Sequence, residues 1–289
     1  MQQLITKEDI HTYLKAIGLP VDIKLTVSTE TLYLLANKQM IYNYYQNVEL
    51  HLKQMKPISL QFVDLLQRVC VQRKGGLCYE HELLLYYVLK HLGFQVEIIR
   101  CQVREMGSPY NPDLSSTHAF LYVSLGDETF LLDPGFGTRS YRFPIKVNFQ
   151  NLTQTYELFA QEHYRIQENE KHYEFQHHMD GNWVTYYDFD KPLNFCTVED
   201  IHNDYLNLFT SKEFLGIRDS KFVVCRNTEY GRIQYLWFRQ EKQFTAFKKH
   251  LKFNEVSKIE FKSYDEFKED VKQEVGFELP DYELLRRIN

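Results

Sequence analysis

Along the first third of the chain, hydrophobic positions recur at helical spacing. Ile10, Tyr13, Leu14 and Ile17 follow at i, i+3, i+4 and i+7 behind Thr6 and Asp9, which have capping-box spacing, and Gly18 with Pro20 ends the run. A second helix is predicted over about 29–45. A third, over 59–71, puts Phe62, Leu65, Leu66 and Val69 on one side, and a fourth runs from Gly75-Gly76 to about Gly93. Residues 1–93 are therefore predicted to form a helical bundle.

Beyond Gly93 the period changes to two. Phe94, Val96 and Ile98 alternate with polar neighbours, residues 119–125 and 129–132 flank a Gly126-Asp127 turn, and alternation resumes at Tyr164/Ile166, Tyr173/Phe175 and 183–189, with Asp180-Gly181 as a hairpin signal. An antiparallel β-barrel over 94–200 is the expectation. From 201 to 289 the signals mix. Strand-like 222–225 and 233–238 precede a helix opened by Ser263 and Glu266, with Phe267, Val271 and Val275 on one side and Gly276 as its stop. The fold class is thus α+β: an N-terminal helical bundle, a central antiparallel β-barrel and a smaller C-terminal α/β domain.

Composition narrows the function. With 289 residues, 44% hydrophobic and 25% charged, the chain can bury a sizeable core. A net charge of −5 argues against nucleic acid or an anionic membrane as the main partner. The cluster Lys242, Lys248, Lys249 and Lys252 is predicted to be a solvated face, with contact to a phosphate as the alternative. The longest apolar run, 83–89, is far short of the roughly 20 residues a bilayer requires. Lys7, Glu8, Asp9, His11 and Lys15 interrupt any signal-peptide pattern, so a cytoplasmic location is expected. Five cysteines at irregular spacing suit a reducing compartment better than a disulfide framework. Aromatic residues make up 15% of the chain, enough to line a pocket as well as fill a core.

Chemistry concentrates in three stretches. In Arg73-Lys74-Gly75-Gly76-Leu77-Cys78-Tyr79-Glu80, two glycines precede a cysteine that opens an apolar helix. The positive end of the helix dipole there favours a thiolate, and the glycines allow close approach to the sulfur. Cys78 reads as a nucleophile or as a small buried hydrophobe; Cys70, Cys101, Cys196 and Cys225 read as the latter. A nucleophile needs a base and the base an orienting group. His118 begins one strand of the hairpin and Asp133 ends its partner. A two-residue loop at Leu125-Gly126 sets them opposite each other, and one at Gly126-Asp127 sets them diagonally on the same face. Cys78-x-x-His81 and His177-His178 lack a second ligand pair at zinc spacing, so no metal is expected. Gly135 and Gly137 lack a strand–GxGxxG–helix context, and there is no Walker lysine.

Taken together, residues 73–80, Thr117-His118-Ala119-Phe120 and Leu132-Asp133-Pro134-Gly135-Phe136-Gly137 resemble the arylamine N-acetyltransferase family. The resemblance implies a helical bundle, a β-barrel and an α/β lid with a cysteine-protease-like triad arrangement. It also implies a ping-pong reaction with acetyl-CoA as co-substrate, an aromatic amine or hydrazine as acceptor, and no metal. Cys78 then matches the nucleophile, His118 the base and Asp133 the residue that orients it. Phe136 matches a ring lining the acceptor pocket, with Gly135 beside it as a substrate contact and Tyr79 or Phe120 as weaker candidates for the same cleft. Two positions depart from the family: Lys74 stands where Arg is usual, and Glu82 where Asn is usual. Lys cannot reproduce a bidentate guanidinium contact. Glu82, one turn after Cys78, either raises the thiol pKa or hydrogen-bonds a neighbour. The alternative functions are a cysteine hydrolase or a transglutaminase-like amide transferase using the same triad, and a non-catalytic binding protein.

Overall fold

In the computed structural model, residues 4–54, 56–104, 108–159, 162–211, 221–239, 244–252 and 255–285 are described. α1 (Lys7–Ala16) begins with the reciprocal cap that its sequence predicts: Thr6 Oγ1 accepts the Asp9 N–H, and the Asp9 carboxylate accepts the Thr6 N–H. α2 (Thr29–Tyr42) ends earlier than expected because Tyr44–Gln46 extends as strand β1. Three extended residues are too few for their period to be told from a helical turn. α3 (Phe62–Leu65) runs into a π-helical turn over Leu66–Val71, and α4 (Cys78–His91) starts directly after the glycine pair.

The large sheet comprises β2 (Gln95–Val103), β3 (His118–Leu125), β4 (Glu128–Leu132), β5 (Ile145–Val147), β6 (Thr155–Phe159), β7 (Glu162–Glu168), β8 (His172–Met179), β9 (Asn182–Asp190) and β10 (Phe195–Cys196). Its ladder runs β5-β4-β3-β2-β9-β8-β7-β6, antiparallel throughout, with β10 added to β2. This is a near-barrel. Among the described residues no ladder closes β5 onto β6, and the three-residue β5 offers little edge to pair. Both predicted hairpin turns form. Leu125 pairs with Glu128 across Gly126-Asp127, and Met179 with Asn182 across Asp180-Gly181, where both central residues have positive φ as a type I′ turn requires.

After α5 (Val198–Thr210), a second sheet is formed by β11 (Lys221–Thr228), β12 (Gly231–Phe238), β13 (Thr245–Lys252) and β14 (Glu255–Phe261), with β1 as its first strand. α6 (Tyr264–Val275) packs Phe267, Val271 and Val275 against Phe222, Tyr235 and Trp237, and ends at Gly276 with φ +78°. Two contacts tie together stretches that the sequence pattern separates. β1 belongs to the C-terminal sheet, and α5 packs Ile201, Tyr205 and Leu208 into the core of α1–α4 while Asp204 takes two hydrogen bonds from Arg100, at 2.7 and 2.6 Å.

The lysine cluster does not form one solvated face. Lys248 is buried, its stem lying along the sheet and its Nζ 2.7 Å from Asp270 on α6, whereas Lys252 is exposed. Lys242 lies outside the described residues. Among those described, no helix is long and apolar enough to cross a membrane.

β3 is buried on both faces, which positions the site. Ala119, Leu121 and Val123 face the helical core, and Phe120 joins an aromatic interior with Tyr141, Tyr164, Phe175, Tyr187 and Phe189. By strand alternation, His118 shares the Phe120 face.

Candidate active site

The glycine pair is zipped onto β1. Gly75 has φ +63°, and a Cβ there would run into the Tyr44 ring, so only glycine fits. The Gly76 N–H donates to Tyr44 O at 3.2 Å and the Gln46 N–H to Gly76 O at 3.0 Å. Immediately before, Arg73 holds a left-handed φ of +54°, and its guanidinium donates to Ala16 O (2.7 Å), Tyr42 O (3.1 Å) and Asn43 Oδ1 (3.4 Å). The guanidinium that braces this stretch is thus Arg73's, and the Arg-to-Lys departure at Lys74 leaves it in place. Chain direction then turns at Leu77, and Cys78 is the first residue of α4, as expected for a thiol at a helix start.

His118 Nε2 and Asp133 Oδ1 are 3.0 Å apart, and both side chains are 1% exposed or less. The hairpin uses the Gly126-Asp127 loop, so the pair lies diagonally on one face. Phe136 stacks on the imidazole with centroids 4.7 Å apart and meets Tyr186 and Tyr187 edge-on. Gly135 joins this hairpin to α4. Its N–H donates to Glu82 Oε1 at 2.7 Å, and a Cβ there would lie 2.5 Å from Cys78 O and 2.8 Å from Glu82 Oε1. The donor atoms of Glu82, His118 and Asp133 all fall within 4.8 Å of one another.

Two weaker sequence candidates belong to the core instead. Tyr79 is fully buried edge-on to Tyr205 with its hydroxyl donating to Ser116 O at 3.4 Å, and Phe120 is fully buried between Tyr187 and Phe189. Neither lines an open cleft, because both sit on faces that α5 and the aromatic interior cover. Phe136 remains partly exposed. Sequence reasoning missed Tyr186 and Tyr187, whose only signal was the alternation of β9.

Burial pushes the Cys78 thiol up. The carboxyls of Glu82, Asp133 and Glu80 push the same way, and the Tyr79 N–H pulls it down. The helix-start donor expected from the sequence is present, but it does not by itself favour a thiolate. Glu82 is held well above the usual carboxylate range by burial first, then by the charge of Asp133 and a hydrogen bond with it, against the Gly135 N–H. Glu80 is raised by burial to about 7 although Arg68 Nε lies 3.0 Å away and the Tyr205 hydroxyl donates to it at 2.9 Å. Cys70, Cys101 and Cys225 are buried and Cys196 half-buried, in keeping with small hydrophobes. Two of the histidines weighed as metal ligands contact protein groups: His81 Nε2 lies 3.0 Å from Tyr44 O, and His177 Nδ1 lies 2.6 Å from the Tyr186 hydroxyl.

A family profile described as N-acetyltransferase matches residues 28–283. An arylamine N-acetyltransferase of Mycolicibacterium smegmatis is 33% identical over 127 residues, which is 43% of this chain and 45% of that protein. An N-malonyltransferase of Fusarium pseudograminearum is 30% identical over 120 residues, 38% of this chain and 35% of that protein. The matched stretch therefore spans less than half the length of these curated relatives. In three dimensions the chain resembles an arylamine N-acetyltransferase from Salmonella typhimurium, with a TM-score of 0.79 at 18% identity over 96% of this chain and 94% of that one. It also resembles the Mycobacterium marinum arylamine N-acetyltransferase in complex with CoA, with a TM-score of 0.77 at 20% identity over 93% and 92%. The structural likeness speaks for the fold; with a family profile that covers most of its length, the chain belongs to the arylamine N-acetyltransferase family.

Proposed function

We propose that the chain is an acetyl-CoA-dependent arylamine N-acetyltransferase that works by ping-pong transfer through a Cys78 thioester. The observation that carries this reading is the buried hydrogen bond between His118 Nε2 and Asp133 Oδ1, in a site that also receives the first turn of α4. With Nε2 committed to Asp133, Nδ1 of His118 is left as a buried nitrogen with no hydrogen-bond partner, free to take a proton. Burial opposes an isolated thiolate at Cys78, so the thiolate forms together with the imidazolium, and Asp133 stabilises the latter.

In the first half-reaction, Cys78 Sγ attacks the acetyl carbonyl carbon, and the backbone N–H of Cys78 at the helix start is positioned as a donor to the oxyanion. The bond from that carbon to the CoA sulfur breaks, and CoA leaves with the proton from His118. In the second, the amine lone pair attacks the thioester, His118 takes the amine proton, and Cys78 departs as a thiolate. Aromatic amines suit this step because they are largely unprotonated at neutral pH. The partly exposed Phe136 ring beside His118, with Gly135 behind it, supports a flat acceptor. In this reading residues 1–93 supply the nucleophile, 94–200 the base and its carboxylate, and 201–289 the lid, and a reducing cytoplasm keeps Cys78 a thiol. No metal takes part.

Incubation with acetyl-CoA is expected to add one acetyl mass to the Cys78 peptide, and an aromatic amine to discharge it with N-acetylation. A malonyl-CoA arm tests donor breadth. Cys78→Ala, with an unchanged circular dichroism spectrum, is expected to lose transfer completely. Retained transfer in that variant would overturn the proposal; absence of an adduct combined with amide or peptide cleavage would point to the hydrolase or transglutaminase-like reading.

A further inference from the structure

Glu82 sits one turn after Cys78 with no exposed surface, and its carboxyl faces that of Asp133. Each carboxyl has one oxygen engaged: Glu82 Oε1 accepts from Gly135, and Asp133 Oδ1 pairs with His118. Their other oxygens, Oε2 and Oδ2, are buried and have no partner if both groups are ionised. Among the described residues, no lysine or arginine forms an ion pair with either carboxyl. Two adjoining buried carboxylates cannot both hold a charge beside a single histidine, whereas one proton between them satisfies both orphaned oxygens. Asp133 is the member that the imidazole N–H contacts, so the proton belongs to Glu82.

We propose that Glu82 is a positioning residue that works as a neutral acid: its Oε2–H donates to Asp133 Oδ2 and fixes the carboxylate that orients His118, and loss of that proton makes Glu82 repel Asp133 and switches the site off. Among the described residues, the titratable side chains that act on Glu82 other than His118 are themselves acids. Asp133 lies against it, Cys78 is on its own helix, Cys101 comes from β2 and Tyr141 from the segment before β5. Each of these ionises to an anion. Only His118 can carry positive charge, and the thiolate of Cys78 consumes that charge. A thiolate, an imidazolium and the Asp133 carboxylate sum to one negative charge; an ionised Glu82 would make two in one buried volume.

This inference rests on the acetyl-transfer reading for its activity arm alone, and two measurements stand apart from it. Glu82→Gln is isosteric: its Nε2–H donates to Asp133 and its Oε1 accepts from Gly135. It is expected to keep roughly the wild-type rates of Cys78 alkylation and of transfer at neutral pH, and to lack the fall with rising pH that the proposal expects of the wild type. Glu82→Ala is expected to lose about 10–100-fold, as is usual when a group that orients a reactive histidine is removed. The infrared difference between wild type and Glu82→Gln is expected to contain the C=O band of a protonated carboxylic acid at neutral pH. Wild type alone should retain such a band as pH rises through the range of about 4 to 5 in which ordinary carboxyl groups ionise. No such band, a fall with rising pH unchanged in Glu82→Gln, or equal behaviour of the Gln and Ala variants would overturn the inference. A band present without any acetyl adduct at Cys78 would leave it standing and remove the acetyl-transfer reading instead.

Discussion

At the scale of single residues, the proton on Glu82 links the site to the stability of the fold. In the unfolded chain this group ionises near the ordinary glutamate value of about 4.3, whereas in the native state burial and Asp133 hold it well above that range. Between those values the native state binds the extra proton. Its contribution to stability is therefore fully present below about 4.3 and is lost as pH rises toward the native value, at ~1.4 kcal/mol per pH unit. Glu80, also raised, contributes with the same sign up to about 7 and is common to wild type and variant. Urea unfolding at a series of pH values between 5 and 7 should give a steeper decline for wild type than for Glu82→Gln, by about 1.4 kcal/mol per unit. Parallel lines would mean that Glu82 is ionised in the native state. The places of Cys78, His118 and Asp133 in the fold were legible in the sequence because each is defined by what adjoins it: a glycine pair, a strand start, a turn. The partner of Glu82 was not. Its hydrogen bond to Gly135 spans more than fifty positions, and the sequence left open whether the side chain acts on the thiol or on a neighbour.

Among the elements, α4 carries both Cys78 and Glu82, so whatever fixes its first turn fixes the site. Leu77 offers no side-chain cap. The turn is held instead by Glu80, which is 1% exposed and bridges Arg68 at 3.0 Å and the Tyr205 hydroxyl of α5, while Arg68 also pairs with Glu49. Removing the guanidinium leaves a buried carboxyl without its cation. Arg68→Ala is expected to destabilise the fold by about 3–5 kcal/mol in urea unfolding, and adding Glu80→Gln, which still accepts from Tyr205, to recover a large share of that loss. Strict additivity of the two substitutions would show that the pair is not coupled. The helices with local caps and the two-residue hairpins could be read from sequence because their determinants lie within four residues. β1 could not be, since the hydrogen-bond partners of its three residues come from Gly76, some thirty positions on, and from β11, some 180 positions later.

For the whole molecule, period-two alternation foretold a large antiparallel sheet but could not order its strands, nor show that the C-terminal sheet reaches back to the site. That reach runs in part through a buried arginine. Arg232 on β12 donates through Nη1 to Thr138 O at 2.6 Å, through Nη2 to Ser140 O, and through Nε to Asn227 Oδ1 at 3.0 Å, while Gln234 Nε2 also binds Thr138 O at 2.8 Å. The segment they hold begins two residues after Phe136, and Gly137 between them, with φ +64°, sits so close to Tyr45 of β1 that a Cβ would lie 2.7 Å from its ring. Phe136 in turn covers His118. Arg232→Met keeps the bulk and removes the donors, which takes the arginine donor from Ser140 O, leaves Thr138 O with Gln234 alone, and removes the cation 3.5 Å from Glu162. The segment should then shift, and Phe136 with it. Because a displacement of about 1 Å can cost on the order of a hundredfold in rate, acceptor turnover should fall by about ten- to a hundredfold with a raised KM for the amine. Acetylation of Cys78 by the donor, followed by mass in a single turnover, should change far less, since α4 is anchored elsewhere. If stability fell while the acceptor KM stayed at its wild-type value, the C-terminal sheet would be a support for the fold and not for the acceptor side of the site.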